Sequence, residues 1–460
     1  MKDTTVNMTE GSTIGLLIRF SIPMLIGNLF QQVYNLADSI IVGRLINADA
    51  LAAIGATSSI TFFFFALCNG FASGGGIIVS QNFGEGDADK VRNSMLNTAY
   101  IMFFLPLIVG LTAYILATPI LRVLDTPEVI MDDAAIYMRT QCIGMMFVSL
   151  YNLASSMMRS LGDSKTPLYF LIFSCILNVI LDIVFVYNLG LGVWGAGAAT
   201  VLSQLVSGVL CLIKAVSSNP YFKFKKADMR VNHGTIASIV KLGIPISLQY
   251  SLIAISCMAL QRVVNGFGAV AVAAFTATGR IEQLAHQPYQ SLTAALTTFA
   301  GQNYGAKKNR RAIEGYRKSL LLMGIYTLVM VPLIQIFAEP VSALFVNEAD
   351  VIQMGARALR ITSLFYVFLG VIYVVRGILS GIGDAFFALF NGVVEIIGRF
   401  TVPIGLTMIP AVGVWGIWWS VGIVWFISGF TAWLRYVYIK KRRLTDKAED
   451  ASGKAGGQAE

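Results

Sequence analysis

Long apolar runs alternate with short polar connections along almost the whole chain. A helix needs about 20 apolar residues to cross the hydrocarbon of a bilayer, and twelve stretches reach that length. They cover 14–42, 52–80, 93–118, 130–157, 167–189 and 194–215 in the first half, then 236–264, 268–300, 314–338, 352–379, 387–408 and 413–438 in the second. The runs are continuous rather than alternating, which predicts helices and excludes barrel strands. Several exceed the minimum, as tilted helices or helices extended into the loops would.

The pattern is written twice. Pro23, Gln81-Asn82, Gly162-Asp163 and Gly192-Val193-Trp194-Gly195 return as Pro245, Gln302-Asn303, Gly383-Asp384 and Gly413-Val414-Trp415-Gly416, at an offset of 221 residues (222 for the prolines). Six crossings per half is an even number, so both halves enter the membrane in the same direction and the repeats are parallel. The expected fold is an all-α membrane protein: twelve transmembrane helices in two parallel-repeat six-helix bundles facing each other across a cleft. The expected divisions are an N-terminal segment 1–13, bundles over 14–215 and 236–439, a linker 216–235, and a tail 440–460 that is basic at first and disordered after Lys447.

Composition fits a membrane protein. The chain is 56% hydrophobic and 13% charged, whereas soluble domains carry about 25% charged residues. The net charge of +9 sits in a few loops, without the interleaved basic and aromatic face that nucleic acid requires. Lys90 and Arg92, Arg159 and Lys165, Lys223 to Arg230, Lys307 to Arg311 and Lys440 to Arg443 all fall on one side. The other side offers Arg44 and Arg122 and an acidic loop with Glu339, Glu348 and Asp350. The positive-inside rule therefore puts both termini of a multi-pass cell-membrane protein in the cytoplasm. Polar residues 2–12 lack the apolar core of a signal peptide.

Five scattered cysteines (Cys68, Cys142, Cys175, Cys211, Cys257) and two histidines (His233, His286) predict neither a zinc site nor a disulfide framework. Single Ser and His residues within the spans read as hydrogen-bonded structural groups. No phosphate loop, hydrolase elbow or HExxH helix occurs, so neither ATP-driven transport nor catalysis is expected, and no cofactor.

An acidic side chain at mid-membrane costs about 2.5–3.5 kcal/mol on the mildest insertion scale. The first span nevertheless contains Asp38, the fifth Asp182, and the eleventh Glu395 with Arg399. Gln31, Tyr34 and Asp38 fall at i, i+3 and i+7, on one helix face, and Asn28 and Asn35 widen the stripe. Asn178 and Asp182 are one turn apart, and Thr200 offers a hydroxyl in the Gly/Ala-rich start of the sixth span. Two carboxylates, an amide and a hydroxyl make a hard-oxygen set suited to H+ or Na+. A structural network between helices would favour the same residues. Glu395 and Arg399, at i, i+4, read equally as a self-contained ion pair or as a coupling pair. Asp38 and Asp182 have no acidic counterpart at the repeat offset, which predicts one cation site, in the first half. Pro23, about four turns from Asp38 on the same helix, is a candidate hinge.

These features together resemble the multidrug and toxic compound extrusion (MATE) family: two six-helix repeats, Pro23 and Asp38 on the first span, Gln81-Asn82-Phe83-Gly84 and Gln302-Asn303-Tyr304-Gly305 ending the second and eighth, and the two Gly-Val-Trp-Gly entries. The resemblance covers about residues 12–440. It implies a V-shaped pair of bundles exporting cationic or amphipathic compounds in exchange for sodium or protons. The chain is similar to the branch of DNA-damage-inducible transporters, which implies a cation site at Asp38, Asn178, Asp182 and Thr200, with Gln31, Tyr34, Tyr137 and Asn152 lining the neighbouring cavity. The leading expectation is an antiporter working by alternating access in the lipid bilayer, with one duplicated chain forming its own cleft as a monomer. The alternative is a flippase for a lipid-linked precursor, of the related polysaccharide-exporter superfamily. Such a protein calls for a strongly basic cleft, and the intramembrane basic residues are few, chiefly Arg262, Arg376 and Arg399.

Overall fold

The computed structural model describes residues 4–445, so the expected disorder after Lys447 lies outside the described residues. Fifteen α-helices account for most of the chain. The first half contains α1 (Thr13–Leu45), α2 (Ala48–Glu85), α3 (Ala88–Ile115), the short α4 (Ala117–Val123), α5 (Glu128–Ser160), α6 (Lys165–Asp182) and α7 (Gly192–Ser218). The second contains α8 (His233–Asn265), α9 (Ala269–Ala285), α10 (Gln287–Gly305), α11 (Asn309–Ala343), α12 (Ala349–Ser363), α13 (Tyr366–Gly381), α14 (Ala385–Thr407) and α15 (Gly416–Ile439). A π-helical turn, Ile183–Asn188, extends α6. Among the described residues there is no strand.

Nine of these elements are each long and apolar enough to cross a membrane, and the bent pair α12–α13 makes a tenth. With α5 and the broken pair α9–α10 the protein has twelve crossings, six per repeat. α5 is less apolar because its inward face is polar: Thr140, Gln141, Ser149, Asn152, Ser155, Ser156 and Ser160 are all buried. Most other spans carry apolar residues on their lipid-facing and packed faces alike, with polar residues at a few positions. α3, for example, buries Met95 and Met102 and turns Phe103, Phe104, Ile108 and Leu111 outward.

Local signals mark the ends. Asn47 and Asp87 cap α2 and α3, each side chain accepting from a backbone N–H three residues on. Asp163 accepts from the backbone N–H groups of Lys165 and Thr166, both at 3.0 Å, and from the Thr166 hydroxyl at 2.7 Å. Its repeat counterpart Asp384 does something else: it accepts from Arg435 Nε at 2.9 Å and Nη2 at 3.0 Å.

The chain forms two compact units, and they do not divide at the linker. The first comprises 4–7 and Phe20–Ser251; the second comprises Met8–Arg19 and 252–445. Each repeat's first helix thus starts in one unit and ends in the other. In the first unit the start of α8 packs on α2 so closely that a Cβ on Gly74 would lie 2.8 Å from the Gly243 nitrogen, a contact only glycine allows.

The lead-in to each of those helices is tied down by side-chain hydrogen bonds. In the second unit Met8 N–H donates to Gln302 Oε1 (2.8 Å), Asn303 Nδ2 donates to the Met8 carbonyl (3.2 Å), and Arg311 Nη2 donates to the Gly11 carbonyl (2.7 Å). In the first unit Arg92 Nε donates to Asp228 Oδ2 (3.0 Å), Tyr100 donates to the Met229 carbonyl (2.9 Å), and Asn232 N–H donates to Asn97 Oδ1 (2.9 Å). Met8 and Met229 are repeat equivalents, so the same device is used twice.

Candidate cation and substrate site

The site lies wholly in the first unit and is assembled from α1, α5, α6 and α7. Asp182, the last residue of α6, is fully buried, and Asn178 one turn earlier is nearly so. The π-helical turn that follows Asp182 widens the backbone next to the carboxyl. Such turns inside helices mark functional positions.

Asp38 of α1 is half-buried, and its carboxyl lies close enough to that of Asp182 for the two to act on each other electrostatically. Two neighbouring carboxylates repel, so such a pair favours holding a proton between them. Asn178 Nδ2 donates to Thr200 Oγ1 at 3.3 Å, and Thr200 donates back to the Ala196 carbonyl of its own helix at 3.2 Å. The Tyr34 side chain lies beside Thr200, and Tyr34 and Tyr137 are both within electrostatic reach of Asp38 and Asp182. Six of the sequence candidates, Tyr34, Asp38, Tyr137, Asn178, Asp182 and Thr200, are therefore one cluster.

Two others are not tied to it by a hydrogen bond that the geometry resolves. Asn152 is buried, but its amide donates to the Val148 carbonyl on α5 itself (3.0 Å). Gln31 is half-buried on α1. Pro23 is buried within α1, whose helix runs on either side of it. Gln141 was missed by the sequence reading. It is buried one turn beyond Tyr137, beside that side chain on the same helix face; the i, i+4 spacing was available as a signal.

In the second unit, Glu395 and Arg399 are not self-contained. Glu395 Oε1 lies 3.5 Å from Arg376 Nη2 on α13, and Oε2 lies 3.8 Å from Arg399 Nη2. Arg376 Nη2 also donates to Asn391 Oδ1 at 2.9 Å, and Arg399 Nη1 donates to Cys257 Sγ at 2.8 Å. The carboxylate is shared by two guanidinium groups because α13 and α14 both turn a long side chain toward it. Helical spacing on one span cannot reveal the second of them.

Chemically, the first-unit cluster offers carboxyl, amide, and aliphatic and phenolic hydroxyl oxygens. That set suits a proton or a small hard cation. Among the described residues no group of three or more His, Cys, Asp or Glu is arranged to hold a metal ion.

Comparison with known proteins follows the same division. The family model described as MatE matches residues 23–184 and again 245–402, one copy per repeat. The chain is 31% identical over 436 residues to the "Probable multidrug resistance protein YpnP" of Bacillus subtilis (strain 168), covering 94% of this chain and 96% of the relative. It is 25% identical over 460 residues to the "Multidrug export protein MepA" of Staphylococcus saprophyticus, covering 98% and 100%. Among solved structures, one described as "Crystal structure of MATE in the straight conformation" superposes with a TM-score of 0.88 at 25% identity, over 96% of this chain and all of that one. A transporter of the MOP superfamily from Pyrococcus furiosus, 24% identical, shares the fold with a TM-score of 0.89 over 97% of this chain and 100% of that one.

Proposed function

Because the chain belongs to the MatE family, we propose that it is a secondary multidrug exporter of the cell membrane, moving cationic or amphipathic small molecules outward in exchange for protons held by Asp38 and Asp182. The observation that carries this reading is the proximity of those two carboxyls, which act on each other inside the first unit. A proton held by the pair offsets their repulsion, and losing it leaves two like charges close together, which is costly inside a membrane. Separation of α1 from α6 relieves that repulsion, so the protonation state biases the helix carrying Pro23. The names of the relatives support multidrug export. The basic loops support cytoplasmic termini.

The energetics suffice. Each elementary charge moving inward yields about 2.3 kcal/mol per 100 mV, enough for roughly a fiftyfold gradient of a neutral compound. For a monovalent cation exported one-for-one, the electrical terms cancel and the proton gradient alone drives efflux. A single chain carries the whole cluster, in keeping with a working monomer.

The test is efflux of a fluorescent organic cation from proteoliposomes under an imposed pH gradient, compared with an imposed sodium gradient. Efflux driven by pH, absent in Asp38→Asn, supports the reading. Efflux driven by sodium at constant pH replaces the proton with Na+ at the same residues, and efflux indifferent to both gradients removes the antiport reading altogether.

A further inference from the structure

Residues 219–232, between α7 and α8, are held as a strap across the base of α3. Phe222 is its buried anchor, packed with Val91, Met95, Cys211 and Ala215. Further along, Asn93 Nδ2 donates to the Asp228 carbonyl at 3.1 Å and to the Arg230 carbonyl at 2.9 Å, on either side of the bond from Tyr100 to the Met229 carbonyl. Asp228 turns its carboxylate inward, between Arg92 Nε at 3.0 Å and the backbone N–H of Lys225 at 2.7 Å. Three successive carbonyls and the strap's own acid are thus committed to the protein.

The strap crosses the side of α3 that faces lipid. Asn93, Asn97 and Tyr100 stand at i, i+4 and i+7, and the same stripe continues through Phe104, Leu107 and Leu111, all exposed. Asn97 lies on that stripe and is nevertheless fully buried, because the strap covers it. Polar groups turned toward hydrocarbon need protein partners, and the strap's carbonyls supply them.

What the strap turns outward is of one kind. Lys223, Lys225, Lys226 and Arg230 are all exposed, and among the described residues none of them makes an ion pair. The acids of the neighbouring α2–α3 turn are taken: Glu85 and Asp87 pair with Lys90, and Asp89 with Arg92. Met229 and Val231, 53% and 56% exposed, alternate with Arg230. Cations beside apolar side chains at the foot of a lipid-facing helix fit an anionic phospholipid, whose phosphate meets the charges while its upper acyl chain covers Met229 and Val231. A soluble phosphate would meet the charges and leave both apolar side chains in water. The other repeat lacks these features. At the 221-residue offset Lys225, Lys226, Arg230 and Val231 become Thr4, Thr5, Thr9 and Glu10, and Met8, the equivalent of Met229, is buried.

We propose that residues 223–231 form a binding site for an anionic phospholipid, with Lys223, Lys225, Lys226 and Arg230 on the headgroup and Met229 and Val231 at the hydrocarbon boundary. The sequence reading used these basic residues only as marks of topology. The site does not depend on Asp38, Asp182 or the antiport reading.

Met229→Trp places a reporter on the strap. The full-length variant is reconstituted in vesicles of phosphatidylcholine with a minor share of phosphatidylglycerol, one lipid or the other carrying bromine on its acyl chains, and the emission of the wild-type protein is subtracted. The expected result is quenching at residue 229 that corresponds to about tenfold enrichment of phosphatidylglycerol over its share of the bilayer. Replacing Lys223, Lys225, Lys226 and Arg230 together by Gln brings the enrichment to about one. The same replacement of Lys440, Lys441, Arg442 and Arg443 leaves it in place, as does excess inorganic phosphate at constant ionic strength. All four strap side chains are exposed, so the variant is expected to melt with the wild type. Absence of quenching by either lipid, no preference between them, a preference that survives the strap replacement, or one that inorganic phosphate removes would each overturn the proposal.

Discussion

Asp38 on α1 and Asp182 at the end of α6 lie within electrostatic reach of each other, on helices separated in sequence by four others. An amide at either position keeps the shape and removes the titrating proton. Asp38→Asn and Asp182→Asn are each expected to lower gradient-driven efflux by roughly tenfold or more, a change of at least about 1.4 kcal/mol in the driving step. Equilibrium binding of a fluorescent substrate to the purified variants should change much less. Wild-type efflux in either variant would remove the pair from the mechanism.

Thr200 joins the pair's neighbours by accepting from Asn178, beside Tyr34. Thr200→Val preserves volume and deletes the hydroxyl, at a cost of about 1 kcal/mol per lost bond. Efflux at limiting proton gradient should fall about fivefold, while Thr200→Ser, which restores the hydroxyl, recovers most of it.

The repeat-equivalent aspartates should respond differently to replacement. Asp163→Ala removes a helix cap and should destabilise the protein by about 1 kcal/mol. Asp384→Ala leaves the Arg435 guanidinium without its two-pronged partner. Loss of a buried partner costs about 3–5 kcal/mol, and because Arg435 is 27% exposed the lower end or below applies, about 2–3 kcal/mol. Thermal unfolding in detergent should therefore rank Asp384→Ala below Asp163→Ala, and the reverse order would contradict the assignment.

Asp87 caps α3 from the loop, and the backbone N–H of Lys90 holds its carboxyl below the usual carboxylate range. A depressed folded pKa means the stabilisation is fully present above the unfolded value near 3.9 and is lost as pH falls through the folded one. The melting-temperature gap between wild type and Asp87→Ala should stay constant from about pH 5 to pH 8 and narrow progressively as pH falls below about 4.

Much of the fold was legible because its driving force is written in composition. Runs of about 20 apolar residues leave few alternatives, and the 221-residue offset of the Gln-Asn and Gly-Asp landmarks imposes the six-plus-six arrangement. Asp38 and Asp182 stood out because an acid inside lipid is costly wherever it sits. What stayed hidden concerns partners on different helices. Arg376 joins Glu395 from another crossing, which spacing along α14 cannot register. The breaks at His286 and after Ser363 leave the apolar count almost unchanged; Pro288 was the available sign for the first. The start of α8 joins the first unit through packing of Gly74 on Gly243, and the lead-in to α1 joins the second through Gln302, Asn303 and Arg311, long-range contacts that no local pattern records.

That interleaving governs how the polypeptide could be dismantled. Severing it within 216–235 would not release two self-sufficient halves: the N-terminal fragment would lack the α8 segment up to Ser251, and the C-terminal fragment would lack Met8–Arg19. Synthesised together from separate messages, the fragments should reconstitute by complementation, each lending the other its missing strip; synthesised alone, each should be degraded.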